Sequence, residues 1–502
     1  METSPEMPSA EKILDFIRTK KEKFWLGERE KRALNLFHRA AVQVPAYRDF
    51  LHKHKIRSEK IKTFQDFQSV PPTSKKEYLR KYPLEKLCWD GTLARPLVFT
   101  STSGSTGEPF YFPRGEELDW QYSILAELFL QNSSYRTSGP VLVIVGFGMG
   151  VWIGGLITYK AFEIAARRSN LPVSIITPGI NKGEIFHALK NLSPHYKETI
   201  LIGYPPFLKD ILDQAPEHGI NLKKLHLRLF SAAEAYTEKF REYLMRKVHT
   251  QSSLRDSLNI YGSADVGAMA WETPLSILIR QLAMGRWRLF ADIFHQIQRT
   301  PTLAQYNPIF VTFEEHGGEL FLTGNNSIPL IRYAIGDHGG VLSFSEIKEK
   351  MNNHGVKFTK EVQAHGMGKF MYELPFVYVY ERVDLSTTLY GLQIYPETIR
   401  EVLIDPPMNN YLTGKLTLIT KFDRNKDQYL EINLELRKNR KISKRMEKIF
   451  LSQIVSNLRL KNSEYRELYT HIKDRASPKL VFWPAEHPSY FKPGVKQRWV
   501  KK

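Results

Sequence analysis

The segment Phe99-Thr-Ser-Thr-Ser-Gly-Ser-Thr-Gly-Glu-Pro109 gathers hydroxyl side chains around two glycines, Gly104 and Gly107. Backbone N–H groups and hydroxyls in such a loop can wrap phosphate oxygens, and glycine lets the backbone approach a ligand where a Cβ would intrude. The loop lacks the G-K-[ST] ending of a Walker motif. A second glycine-rich stretch, residues 140–159, carries glycines at 146, 148, 150, 154 and 155 and no charge. A dinucleotide fingerprint would need glycine at 151, which is Val. The stretch is long enough for a membrane span. A β-branched run, a turn and a helix starting near Ile153 account for it better, because the glycines cluster in the middle. Cys88 is the only cysteine, so neither an intrachain disulfide nor a cysteine zinc cluster can form.

These residues need a scaffold, and the hydrophobic pattern describes one. Residues 28–44 have helical periodicity through Leu34, Phe37 and Ala41, and short helices with polar linkers continue to about residue 95, including the turn-rich Val70-Pro-Pro-Thr-Ser. From 97 to about 340, strand-like runs alternate with amphipathic stretches. Val141–Val145, Val173–Thr177, Thr199–Ile202, Leu227–Ser231 and Leu258–Tyr261 read as strands. That alternation predicts an α/β domain with a largely parallel sheet. Beyond 385, Tyr429–Arg437 alternates strictly, which predicts a half-buried strand; a basic helix through Ile442–Leu458 and a strand at Leu480–Trp483 follow. The expected organisation is a helical region at 1–95 belonging to the large domain, an α/β core at 96–382, and a small α+β domain at 385–502.

Lys and Arg number 72 against 53 Asp and Glu, a formal net charge of +19. Hydrophobic residues are 42% and charged residues 25%, which excludes a disordered chain or a fibrous repeat. Residues 421–502 hold 21 Lys/Arg against 9 Asp/Glu, an excess of 12. Such charge suits a phosphorylated ligand, an acidic membrane or a nucleic acid. No arginine-rich run with interleaved aromatics is present, so no nucleic-acid partner is expected. The first residues carry no basic stretch followed by an apolar run, and with one cysteine this favours a cytoplasmic setting.

Five further motifs follow the hydroxyl-rich loop: Ser231-Ala-Ala-Glu-Ala235, Ile260-Tyr-Gly-Ser-Ala-Asp-Val-Gly267, Arg332-Tyr-Ala-Ile-Gly-Asp337, Glu381-Arg-Val-Asp384 with the loop Tyr390–Glu397 behind it, and Gly494-Val-Lys-Gln-Arg498. Their order along nearly the whole chain resembles the acyl-adenylate-forming superfamily. The segment Leu36–Tyr47, with His38 and V-P-A-Y, and Pro71-Pro-Thr-Ser-Lys75 resemble its phenylacetate–CoA ligase branch.

The resemblance implies a large adenylate-forming domain of stacked α/β subdomains and a small mobile C-terminal domain. It implies ATP-dependent conversion of a small carboxylic acid to acyl-AMP, then transfer to coenzyme A. An amine or a carrier protein is the alternative acceptor, and an inactive AMP-binding relative is a rival. Thr102, Ser103, Gly104, Ser105, Thr106 and Gly107 would hold the β- and γ-phosphates. Ala233, Glu234, Tyr261, Gly262 and Ser263 would form the adenine pocket, with Tyr261 offering its face. Asp337 would accept from ribose hydroxyls, Asp265 would hold Mg²⁺, and Arg382 would bind phosphate or ribose oxygens. Asp384 would be the hinge. Lys496 would stabilise charge developing at the acyl phosphate, with Lys492 the competing candidate.

Departures from the family pattern accompany the match. Asp265 stands where Glu is usual, Glu381 where Gly is usual, and the lysine motif has one extra residue. Two stretches look inserted. Residues 274–300 carry Arg280, Arg286, Arg288 and Arg299 against Asp292 on an amphipathic pattern, which suits packing on the main domain or peripheral membrane contact. Residues 338–378 separate the ribose motif from the hinge and carry glycines near His338, His354 and His365, at spacings that do not predict a metal site.

Overall fold

The computed structural model describes residues 7–94, 97–101, 110–135, 139–150, 153–295, 300–380, 387–390, 392–423, 428–493 and 497–501. The runs expected as strands pair in parallel, in the spatial order Val173–Ile176, Val141–Val145, Glu198–Gly203, Leu227–Ala232 and Ser257–Ser263. Unbroken apolar runs suit strands covered on both faces. Val143, Val145, Ile200 and Ile202 enter one core, while Leu142, Ile144, Leu201 and Leu229 enter another. Residues 140–159 form strand Val141–Val145 and the start of helix Ile153–Ser169. Among the described residues no helix is long and apolar enough to cross a membrane.

The α/β alternation ends earlier than expected. After Ser263 the chain turns directly into Gly267–Trp271, and the sheet continues antiparallel through Thr302–Gln305, Phe376–Tyr380, Leu330–Leu342, Glu319–Gly324 and Val311–His316. The connections at 263–267 and 316–319 are too short for the crossover a parallel strand needs. The segment read as a linker at Val70–Ser74 adds a twelfth strand, Thr73–Ser74, parallel to Tyr333–Ala334.

The two stretches that looked inserted pack on each other. Helices Pro274–Met284 and Trp287–Phe294 share a core with Phe344–Asn353 and Phe358–Ala364, through Leu278, Ile293, Ile347 and Phe358. Lys350 Nζ and His354 Nε2 both reach Asp292, at 2.6 and 3.1 Å. Arg280, expected on a basic outer face, is buried and paired with Glu238 and Glu272. This corrects the membrane reading of residues 274–300 at that position; among the described residues of the stretch, Trp287 is the large apolar side chain left exposed.

Residues 389–500 build a separate core containing Leu389, Leu418, Ile432, Phe450 and Trp499. Strands Leu412–Phe422, Gln428–Leu436 and Lys479–Trp483 form its three-stranded sheet. The middle strand was expected to leave Glu431, Asn433 and Glu435 in water, yet all three are buried. Each has found a partner: Lys421 pairs with Glu431, Trp483 Nε1 donates to Asn433 at 2.7 Å, and Thr413 Oγ1 donates to Glu435 at 2.7 Å. This region docks on helix Pro205–Gln214. Lys415 meets Asp210 at 2.5 Å, Arg437 meets Asp213 at 2.8 Å, and Lys209 donates to the Thr413 carbonyl.

Candidate functional site

Ligands of parallel sheets gather at the carboxyl ends of the strands. Leu227–Ala232 delivers Ala233 and Glu234 to that edge, and its neighbour Ser257–Ser263 delivers Tyr261, Gly262 and Ser263, with Asp265 just beyond. Ala233 is left-handed at φ 74°, and Asn259 Nδ2 holds the turn by donating to the Glu234 carbonyl at 3.0 Å. Gly262 answers a close approach: a Cβ there would lie 2.6 Å from the Gly267 carbonyl oxygen. Ser263 Oγ then accepts the amides of Asp265 and Val266, at 3.2 and 3.3 Å, which shapes the turn carrying Asp265.

The long strand Leu330–Leu342 closes another side. Tyr261 Oη donates to Asp337 Oδ2 at 2.8 Å, joining two residues 76 apart in sequence. The Tyr261 ring rests 6.0 Å from that of Phe313. Tyr333 Oη donates to Asp265 Oδ2 at 2.6 Å, and Lys75 Nζ lies 3.0 Å from Asp265 Oδ1. Lys75 arrives there because Thr73 binds the edge of the same strand, its Oγ1 donating to the Ile331 carbonyl at 2.9 Å. Its sequence had been matched, but nothing in the spacing announced a carboxylate partner 190 residues away.

Arg114, unassigned from sequence, is a second cation beside this turn. Its Nη2 donates to the Ala264 carbonyl and its Nε to Thr100 Oγ1. Burial pushes the Arg114 guanidinium down to about 10, while the carboxylates of Asp119 and Asp265 oppose the shift. Strands Val98–Ser101 and Tyr111–Arg114 pair with Ser101 opposite Tyr111. Thr102, Ser103, Gly104, Ser105, Thr106, Gly107, Arg382, Asp384 and Lys496 lie outside the described residues; Lys492 is exposed.

Trp499 reaches the site from the C-terminal region. Trp499 Nε1 donates to Glu234 Oε2 at 3.1 Å. Asp265, which the resemblance assigns to Mg²⁺, is engaged by protein groups in this arrangement. Both oxygens of Asp265 already have partners, and among the described residues no three His, Cys, Asp or Glu side chains cluster as metal ligands.

No family model and no curated protein matches the sequence. Solved structures do match. 2-Hydroxyisobutyryl-CoA ligase in its postadenylation state, in complex with 2-HIB-AMP, superposes with a TM-score of 0.67 at 14% identity, covering 100% of this chain and 94% of the ligase. The chain has the fold of this ligase. The same ligase in its thioesterification state, with 2-HIB-AMP and CoA, scores 0.52 at 14% identity over 100% of this chain and 94% of its own. Its open form, with the same two molecules, scores 0.50 at 14% identity over 100% and 97%. Within this fold, Ala233, Glu234, Tyr261, Gly262, Ser263, Asp265 and Asp337 lie at one edge of the sheet.

Proposed function

We propose that this chain activates a small carboxylic acid with ATP and passes the acyl group to coenzyme A. The observation that carries this reading is the Tyr261–Asp337 hydrogen bond at the carboxyl edge of the parallel strands, in a fold matched end to end by an acyl-CoA ligase. In the first half-reaction a carboxylate oxygen attacks the α-phosphorus of ATP. The bond to the bridging oxygen breaks, and pyrophosphate leaves with its electron pair. In the second, the thiol loses its proton, sulfur attacks the acyl carbonyl carbon, and AMP departs.

Tyr261 presents its ring to adenine while its hydroxyl orients Asp337, whose carboxylate accepts from the ribose hydroxyls. Thr102–Gly107 hold the outer phosphates; Arg382 and Lys496 meet the charge at the reacting phosphate, and Asp384 is the hinge. These assignments rest on the motif resemblance. Mg²⁺ enters as part of the MgATP substrate. Lys75 and Arg114 add two cations around Asp265, which offsets the carboxylate charge on the edge facing a polyphosphate. The better superposition on the postadenylation structure, 0.67 against 0.52, favours the docked arrangement as the one used for adenylate formation.

One observation favours a second reading. The carboxylate assigned to magnesium is already paired with Lys75 and Tyr333, as it would be in a relative that binds nucleotide without turnover. ATP–pyrophosphate exchange with a panel of aryl and aliphatic acids separates the two. Exchange with at least one acid is expected; AMP binding by calorimetry without exchange for any acid would establish the second reading.

A further inference from the structure

Residues 497–501 are fixed to their own domain through the backbone. Leu418 N donates to the Trp499 carbonyl at 2.8 Å, and Lys501 N donates to the Leu418 carbonyl at 2.9 Å, a parallel bridge onto strand Leu412–Phe422. Thr417 Oγ1 donates to the Arg498 carbonyl at 2.7 Å, and Gln497 Nε2 to the Leu416 carbonyl at 3.1 Å. The Trp499 side chain does something else. It is 1% exposed and crosses to the large domain, where its indole N–H meets the carboxylate of Glu234. The Arg400 guanidinium lies 4.1 Å from the Trp499 ring and 5.3 Å from that of Phe240, filling the space between the two domains.

Glu234 sits at the turn after Ala233, beside Tyr261 in the neighbouring strand, and is 5% exposed. A buried carboxylate needs donors, and a donor to a charged acceptor makes a strong, directional bond. An indole N–H can only donate. This donor therefore belongs to the arrangement in which the C-terminal domain is docked. When the domain moves away, water must replace it. The tail that it fixes also carries Lys496, three residues earlier in the sequence.

We propose that Trp499 is a positioning residue for acyl-adenylate formation: through Glu234 it locks the C-terminal tail to the nucleotide segment for the first half-reaction and releases it for the second. This rests on the adenylating reading above. Packing alone would need the ring; positioning needs the N–H, so Trp499→Phe separates them. With full-length protein and an acid that the wild type accepts, kcat for pyrophosphate exchange should fall about tenfold, the scale of one charge-assisted hydrogen bond. KM for the acid should stay constant. Thioester formation from synthetic acyl-AMP and CoA should keep its rate. Deuterium exchange should rise in residues 497–501 and 231–236.

Equal losses in both half-reactions, or no loss in either, would overturn the proposal. If wild-type protein exchanges with no acid, it is the adenylating reading that fails. Deuterium exchange with AMP bound then decides the clasp alone: unchanged exchange of both segments in Trp499→Phe refutes it.

Discussion

Arg241 and Arg280 lie inside the large domain and share Glu238 and Glu272. Arg241 Nε meets Glu238 at 3.0 Å and its Nη2 meets Glu272 at 2.6 Å, while Arg280 Nε meets Glu238 at 2.7 Å. Across the seam, Asp210 and Asp213 on one helix share Lys415 and Arg437 from the other domain, with Lys209, Lys182 and Lys247 completing the set from their own side. Both clusters are rich in buried charge. In the first, no rigid-body motion can hydrate the charges. In the second, undocking brings water to each carboxylate and each cation, so the pairs can be exchanged for solvation. Similar ionic contacts thus serve as permanent structure in one place and as a releasable seam in the other.

The largest expected effect breaks the permanent cluster. Arg241→Met leaves two buried carboxylates with Arg280 alone and should destabilise the large domain by about 3–5 kcal/mol in urea unfolding. Acid should mimic it. Burial pushes the Glu238 carboxyl up, but Arg241 and Arg280 more than offset this and hold it below the usual range. Its contribution is therefore present above the unfolded glutamate value, about 4.3, and is lost as pH falls through the lower folded value. Unfolding midpoints should drop on acidification in the wild type, and less so in Glu238→Gln. A flat wild-type profile between pH 5 and the onset of acid unfolding, with no difference between the two proteins at lower pH, would contradict this assignment.

The contrast between the clusters also marks where the sequence could be read. The five parallel strands were legible because unbroken apolar runs bounded by turns have few other uses, and Tyr261, Asp337 and Glu234 carried motif context. The antiparallel half was not. Leu330–Leu342 spells R-Y-A-I-G-D-H-G-G in its middle, which reads as a turn. Gly339 is there because the Tyr378 carbonyl oxygen would lie 1.9 Å from a Cβ. Lys75 beside Asp265, and Trp499 against Glu234, join residues 190 and 265 apart. Pairings of that range leave no periodicity. Arg280 reads as a surface cation on an amphipathic helix, because the carboxylates that bury it come from other segments.

Lys415→Met tests the releasable seam at an intermediate scale. Burial pushes the Lys415 ammonium down, but Asp210 and Glu435 hold it above its usual value. Removing it should weaken docking by about 1.5–3 kcal/mol, the range for a hydrogen bond to a charged group. Small-angle scattering should then record a larger radius of gyration, while the urea midpoint of the large domain stays near that of the wild type. A fall as deep as that of Arg241→Met would mean that the two clusters do not differ in kind.

The smallest effect belongs to a pair that also spans the seam. Lys239 and Asp405 form an ion pair between the domains, with side chains 40% and 44% exposed. If spanning the seam were enough, Asp405→Asn should open the molecule as Lys415→Met does. If burial decides, water already competes for both charges, and the pair contributes between about 0 and 1 kcal/mol. Scattering profiles of Asp405→Asn should overlay those of the wild type at low and at physiological salt, because a screened exposed pair has little left to lose. An increase in radius of gyration comparable to that of Lys415→Met would place the seam's strength at its rim and remove the buried carboxylates of Asp210 and Asp213 from their role as its anchor.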